Sequence, residues 1–364
     1  MPRAQTFLLT ASLLPLPFLV LGPVLGAGFA LVVMGYLTVF TFLIDQSVHQ
    51  TGATAGINTG LETVLARSLP LVLAIAHFLL LPLAVMAVAA PDTGWVFKCA
   101  NFAAFGLFFG TVSAANAHEL IHRGDRLHHS LGKWVFISML FGHHVSAHLH
   151  VHHPHVATPL DPNSARQNDG VYRFFKRAWL GSFRAGYEIE KTRLLRLNKP
   201  VLGPENPYSV YILGAALATI TAWVFAGWAG VVAYFGLCMF ATAQVLLSDY
   251  VQHYGLQRRL GANGRYEPLT TRHSWNAPHV FSAAIMLNAP RHSDHHAHPK
   301  LPYYDLQSRP SEMAPMLPYS LPMMSFIALT PRLWKKLMNP RVAEWQRDQD
   351  VLLAKGADKP GGMC

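Results

Sequence analysis

The sequence predicts an all-α fold: an integral-membrane bundle of six transmembrane helices with a helical cap on the cytoplasmic side that carries a histidine-rich metal site. Three observations predict it. Of 364 residues, 51% are hydrophobic and 13% charged, about half the roughly 25% charged fraction of a soluble domain. Six apolar runs each approach the ~20 residues that a helix needs to cross a bilayer. And 18 of the 20 histidines fall in two polar segments, residues 118–155 and 253–298, each adjoining the end of an apolar run.

The runs cover about residues 6–21, 24–44, 69–90, 95–113, 208–226 and 230–248. They pair into three hairpins, because glycine and proline punctuate the apolar pattern at Leu21-Gly22-Pro23, Pro91-Asp92-Thr93-Gly94 and Ala226-Gly227-Trp228-Ala229. The start, Met1-Pro2-Arg3 and an apolar run, has the outline of a signal peptide. A second full span before any polar loop argues against one. No repeat or low-complexity segment divides the chain, so residues 1–364 are expected to form one membrane domain, with cytoplasmic segments at 114–207 and 249–364.

Charge sets the orientation. Of the 29 basic residues, all but Lys98 lie at the N-terminus, in 45–68, in 114–207 or after 248, and the hairpin tips have none. The positive-inside rule makes those segments, and both termini, cytoplasmic. The net charge of +10 is therefore largely a topology signal. Arg173, Lys176, Arg177, Arg184, Lys191, Arg193, Arg196 and Lys199 precede the fifth span and suit anionic lipid. A nucleic-acid partner would need an aromatic or groove-reading module that the sequence lacks. Cys99, Cys238 and Cys364 have neither pairing nor Cys-x-x-Cys spacing, which excludes a disulfide framework and a cysteine-held metal.

The histidines then carry the chemistry. Asn116-Ala117-His118-Glu119-Leu120-Ile121-His122 continues the fourth span with no glycine or proline, so the helix should extend past the membrane surface. Positions four apart share a helix face, which lets His118 and His122 serve one metal. Alone, His-Glu-x-x-His is also the zinc-protease pattern, with glutamate as base. In the second cluster His148 and His152 repeat the four-residue spacing with His153 beside them; in the third, His292 reaches His295 and His296. His253, just after the sixth span, adds a ninth candidate.

Adjacent histidines such as His152 and His153 point about 100° apart on a helix, which suits two neighbouring metals. Nine imidazoles are too many for one tetrahedral zinc but divide as five and four around two metals with open positions. Imidazole serves zinc, copper, iron or nickel; a redox-capable pair beside a membrane pocket favours iron and dioxygen. His128, His129, His143, His144, His150, His155 and His298 read as solvated or supporting groups, and His77, inside the third span, as a satisfied core or lipid-interface histidine. Ligating histidines usually give their other ring nitrogen to a carboxylate or carbonyl. Glu119, Asp161, Asp249 and Asp294 are the nearest acids, each with a plain alternative as a cap or surface charge. His273 and Trp275 are expected close by, Trp275 as packing, as support for a ligand or as part of an electron route.

Taken together, these motifs resemble the integral-membrane alkane 1-monooxygenases, a family of the membrane histidine-box di-iron enzymes. The resemblance runs from about the second span to residue 345. It rests on residues 116–122, the His148-x-x-x-His152-His153 box with Val156-Ala157-Thr158-Pro159-Leu160-Asp161-Pro162, His253-Tyr254-Gly255, His273-Ser274-Trp275-Asn276, and Arg291-His292-Ser293-Asp294-His295-His296. It implies two non-haem irons, dioxygen as co-substrate, electrons from a separate rubredoxin and its reductase, and hydroxylation of a terminal methyl group, in a bacterial inner membrane. Two places depart from the family. It commonly carries asparagine and glutamate where this chain has Asp249 and Gln252, and a Leu-Gln pair near Leu287-Asn288-Ala289-Pro290. Gln252 is similar to the xylene and cymene methyl hydroxylases.

The resulting expectation is a terminal hydroxylase of alkanes, the hydrophobic substrate collecting in a pocket among the spans. Tyr36 and Leu37 in the second span are candidate constrictions, weighed against simple packing. Other readings are a methyl hydroxylase of alkyl-aromatics, a membrane fatty-acyl desaturase, a zinc protease using His118, Glu119 and His122, and a metal transporter. The last would need polar ligands within the spans, and those are scarce.

Overall fold

The structure, a computed structural model, describes residues 10–47, 60–308 and 310–357. The expected start of the first span at residues 6–9, and His49, lie outside the described residues. The described residues are helical, with no sheet and two isolated bridges, Leu260–Tyr266 and Asn276–Met316.

The apolar helices come first. Helix α1 spans Pro15–Leu25 and α2 Ala27–Ser47, the latter with a π-helical turn at Tyr36–Phe40. Helix α3 spans Gly60–Ala89, α4 Trp95–Ile121 and α8 Pro207–His253. Helices α2, α4, α8 and Thr63–Ala89 of α3 are each long and apolar enough to cross a membrane. Leu79, Leu213 and Val232 on α3 and α8 are 69%, 70% and 72% exposed, an arrangement that lipid rewards and water does not. Trp95 and Trp228 are exposed at the two later hairpin tips, where indole suits the membrane interface.

The first hairpin turns elsewhere than expected. Helix α1 continues through Leu21-Gly22-Pro23 and ends at Gly26, whose φ of +121° turns the chain and whose N–H bonds the Gly22 carbonyl at 3.0 Å. A proline is tolerated inside a helix where neighbours meet the carbonyl it leaves bare, whereas a positive φ favours glycine. The third tip falls where the sequence places it: α8 breaks at Ala226 (φ −148°) and Gly227 (φ +57°) into halves corresponding to 208–226 and 230–248.

Membrane helices must satisfy every backbone polar group internally, and here tyrosines do so at two prolines. Pro15 cannot donate to the Ala11 carbonyl four residues earlier; the Tyr36 hydroxyl does, at 2.7 Å. Pro70 likewise leaves Ala66, and the Tyr303 hydroxyl donates to it at 3.1 Å. Asn116 donates to the Pro70 carbonyl at 2.9 Å, fastening α4 to α3. In α4 a π-helical turn at Phe109–Ser113 is bracketed by Gln244 of α8, which donates to the Gly106 carbonyl (2.9 Å) and accepts from the Thr111 hydroxyl (3.2 Å).

The remaining helices form the cap: α5 (Arg126–Ser138), α6 (residues 143–155), α7 (Val171–Arg196), α9 (Val280–Ile285), α10 (His292–Ala297), α11 (Leu321–Ala328) and α12 (Pro331–Ala357). Asp45 at the end of α2 caps α9, accepting from the N–H groups of Phe281 and Ser282 at 3.1 and 3.2 Å. His77 is buried and bonded to Ser138 at 2.9 Å, the core role of the two expected of it.

Helix α5 lies against α4 beside His118 because Gly132 admits it. A Cβ there would meet the Ala117 carbonyl and Leu120 Cβ, both at 2.7 Å. Gly132→Val is expected to cost about 1–3 kcal/mol through overpacking. Thermal unfolding of the detergent-purified protein checks this, the midpoint falling in Gly132→Val and holding in a substitution at exposed Leu127.

Candidate metal centre

Four helices deliver the nine histidines to one place. His118 is on α4 and His122 at its end, His148, His152 and His153 are on α6, His253 closes α8, and His292, His295 and His296 are on α10. Their ring nitrogens gather in two groups, each with its atoms within 4.8 Å of one another: His118, His122, His148, His153 and His295; and His152, His253, His292 and His296.

The partition follows the winding of the backbone. The α-helical turn at 114–121 puts His118 and His122 in one group. The equivalent pairing of His148 with His152 does not occur. Residues His148–His152 form a π-helical turn, in which positions five apart stack, so His148 joins His153 and His152 turns to the other group. His292 pairs with His296, while His295 crosses to the group of five. Both adjacent pairs, 152–153 and 295–296, are therefore split between groups.

The spacing of the ring nitrogens fits metal ions. His148 Nε2 lies 2.9 Å from His118 Nε2 and 3.0 Å from those of His122 and His153. In the group of four, His292 Nε2 is 2.9 Å from His253 Nε2 and 3.1 Å from His296 Nε2. In a neutral imidazole Nε2 either donates or accepts, so the three mutual contacts among His122, His148 and His153, at 3.0–3.1 Å, cannot all be hydrogen bonds. Nitrogens bound at about 2.1 Å and at right angles around one ion would lie about 3.0 Å apart. His152 Nε2 is buried without a hydrogen-bond partner, as a ligand nitrogen aimed at an ion should be.

Electrostatics point the same way. Burial first, then repulsion from neighbouring imidazoles, pushes His148, His153, His292, His295 and His296 well below the usual imidazole range, which leaves neutral lone pairs. His152 is the exception. Burial lowers it, but the charge of Asp161, its hydrogen bond and the charge of Asp249 together raise it.

Of the expected supporting groups, Asp161 meets a ligand candidate directly: its Oδ2 lies 2.8 Å from His152 Nδ1 and also accepts from Ser164 Oγ at 2.7 Å. Glu119 is ion-paired with Arg123 at 2.8 Å, a position unsuited to the base of a zinc protease. Asp294 pairs with His298 at 3.3 Å and accepts from the Gln307 N–H at 2.9 Å. His273 lies 3.1 Å from Glu267. Trp275 is buried and donates to the Tyr254 carbonyl at 2.9 Å, pinning the chain that follows α8. Asp249 accepts from Asn163 Nδ2 at 2.7 Å.

A cavity of about 60 Å³ adjoins both groups. Gly110, Ala114, Phe136, Val245, Met286 and Leu321 give it apolar walls, and His118, His148, His292, His144, Asp249 and Gln252 give it polar ones. Tyr36 and Leu37 do not line it. Tyr36 instead spans to Ala11, stacks its ring on Phe40 at 5.6 Å and meets Phe281 edge to face at 5.9 Å. Sequence reasoning missed Asn163, which bridges from the Asp161 turn to Asp249, and Asn276, whose Oδ1 accepts from the Ser293 N–H at 2.9 Å and seats α10. His144 was read as solvated or supporting; it is buried beside the His148 ring, and its four-residue spacing from His148 was the available signal.

Known proteins similar in sequence to this chain cover most of its length. Residues 93–327 match the family model described as fatty acid desaturase. The chain is 34% identical over 275 residues to alkane 1-monooxygenase 1 of Pseudomonas aeruginosa, covering 75% of this chain and 71% of that protein. It is 34% identical over 264 residues to alkane 1-monooxygenase 2 of Alcanivorax borkumensis, covering 72% and 67%. Its identity to the xylene/toluene monooxygenase hydroxylase component of Pseudomonas putida is 28% over 270 residues, covering 70% and 68%.

Asp161→Asn keeps the shape beside His152 but removes the charge that orients its ring. Affinity of the group of four for a divalent metal is expected to fall roughly 10–100-fold, with the group of five unchanged. Equilibrium dialysis with metal analysis would show one of two binding steps weakened; two unchanged steps would contradict the assignment.

Proposed function

The chain belongs to the alkane 1-monooxygenase family, and from that membership we propose that it hydroxylates the terminal methyl group of alkanes to primary alcohols, with dioxygen and electrons from a separate reduced rubredoxin. The observation that carries the reading is the pair of imidazole groups opening on an apolar-walled cavity. Each group would hold one iron, His118, His122, His148, His153 and His295 the first, His152, His253, His292 and His296 the second. Bound there, the iron pair supplies the reductive activation of dioxygen that no side chain provides.

The protein's own part is placement and exclusion. Imidazoles held neutral by burial donate lone pairs without proton loss. Asp161 fixes the ring of His152, and Asn276 fixes the helix carrying His292, His295 and His296. At about 60 Å³ the cavity is far smaller than the ~300 Å³ of an ordinary ligand pocket, so it suits the end of a chain rather than a whole substrate. Apolar burial is worth about 0.8 kcal/mol per methylene, and the methyl terminus is the part that reaches the metals. The chain contains no Cys-x-x-Cys pair, so rubredoxin and its reductase act as separate partners. We place the protein as one domain in the bacterial inner membrane with termini, cap and metals cytoplasmic, since basic residues avoid the hairpin tips.

Gln252, together with the similarity to the xylene/toluene enzyme, favours alkyl-aromatic methyl groups as a second reading. The detergent-purified protein is expected to bind about two irons and to convert octane to octan-1-ol with dioxygen, rubredoxin and rubredoxin reductase. His295→Ala is expected to weaken one iron-binding step and abolish product. Dominant benzylic alcohol from p-xylene would select the second reading, alkene from a fatty-acyl substrate a desaturase, and one zinc with no oxidation would defeat both hydroxylase readings.

Orientation has its own test. Cys99 is exposed near Trp95 at a hairpin tip. In a Cys364→Ser background a membrane-impermeant maleimide is expected to label Cys99 in spheroplasts without permeabilisation; labelling only after lysis would reverse the topology.

A further inference from the structure

We infer that Asp249 is a metal-facing carboxylate, the one acid among the described residues that lines the cavity between the two histidine groups. The inference rests on the iron-pair reading above. Asp249 is buried, and of the residues lining the cavity it is the only acid, sharing the wall with His118 and His148 of one group and His292 of the other. Asn163 holds its Oδ2 at 2.7 Å, which leaves Oδ1 as the oxygen to face the cavity.

Charge gives the reason. Nine neutral imidazoles bring no negative charge, and two divalent cations in a buried site are costly without counter-charge. The other acids near the histidines are turned to other partners. Asp161 stands behind His152 on its Nδ1 side, Glu119 pairs with Arg123, and Asp294 is directed to His298 and the Gln307 N–H. Asp249 alone among these four lines the cavity.

Register gives the second reason. Asp249 and Gln252 are three residues apart on α8, hence on one face, and both line the cavity. An acid at either position enters the same space. Gln252, neutral here, donates instead to the Ala289 carbonyl at 3.1 Å.

The test is anaerobic equilibrium dialysis of ferrous iron against the detergent-purified full chain, comparing Asp249→Asn with the double variant Asp249→Asn/Gln252→Glu. Asp249→Asn is expected to weaken at least one iron-binding step by about tenfold or more, and the double variant to recover it by returning the charge to the cavity from the neighbouring turn. Unchanged binding in Asp249→Asn overturns the inference. So does weakening that the double variant fails to restore, which would mark Asp249 as a packing residue. If the unsubstituted chain itself binds no iron pair, the reading of the site fails first, and that failure is visible before any variant is compared.

Discussion

Nine imidazoles converge in two groups whose spacing suits metal ions, and much of the cap is arranged to bring them there. Nitrogens 2.9–3.1 Å apart repel unless a proton or a metal lies between them, and each neutral ring has one proton to offer. Four helices must therefore end or cross at one point. Gly132 lets α5 lie on α4, Asn276 seats α10, and the Trp275 indole ties down the strand of chain leaving α8.

A second constraint comes from the bilayer, where no water is at hand for a bare carbonyl. At Pro15 and Pro70 two tyrosines distant in sequence cover such carbonyls, Tyr36 on Ala11 and Tyr303 on Ala66. Tyr303 belongs to the cap and Ala66 to a membrane helix, so the same bond that satisfies the backbone also ties the cap to the bundle. The π-helical turn in α4 is handled in the same way by Gln244. These bonds set where α4 emerges and hence where His118 and His122 stand.

The acids show how one residue type takes separate tasks from its neighbours. Asp161 orients a histidine, Asp45 caps α9, Glu119 balances an arginine, and Asp249 faces the cavity. In sequence all four sit within six residues of a histidine and look alike. What separates them is which helix packs opposite, a matter of distances spanning from 4 to more than 200 positions along the chain.

The sequence by itself determined the apolar helices, two of the three hairpin tips and the nine histidines, because these depend on local composition and on spacing along one segment. It also called for two groups, since adjacent histidines diverge on any helix. Tertiary structure decided the membership. The π-helical turn at His148–His152 paired His148 with His153 rather than His152, and α10 sent His295 to one group and His296 to the other. Tyr36, weighed between a pocket constriction and a lipid-facing or packing role, is the donor for a carbonyl stranded by Pro15. Glu119, open between supporting a ligand histidine and serving as a plain cap or surface charge, pairs with Arg123. Periodicity reports which side chains share a face; only the packed helices decide what that face meets.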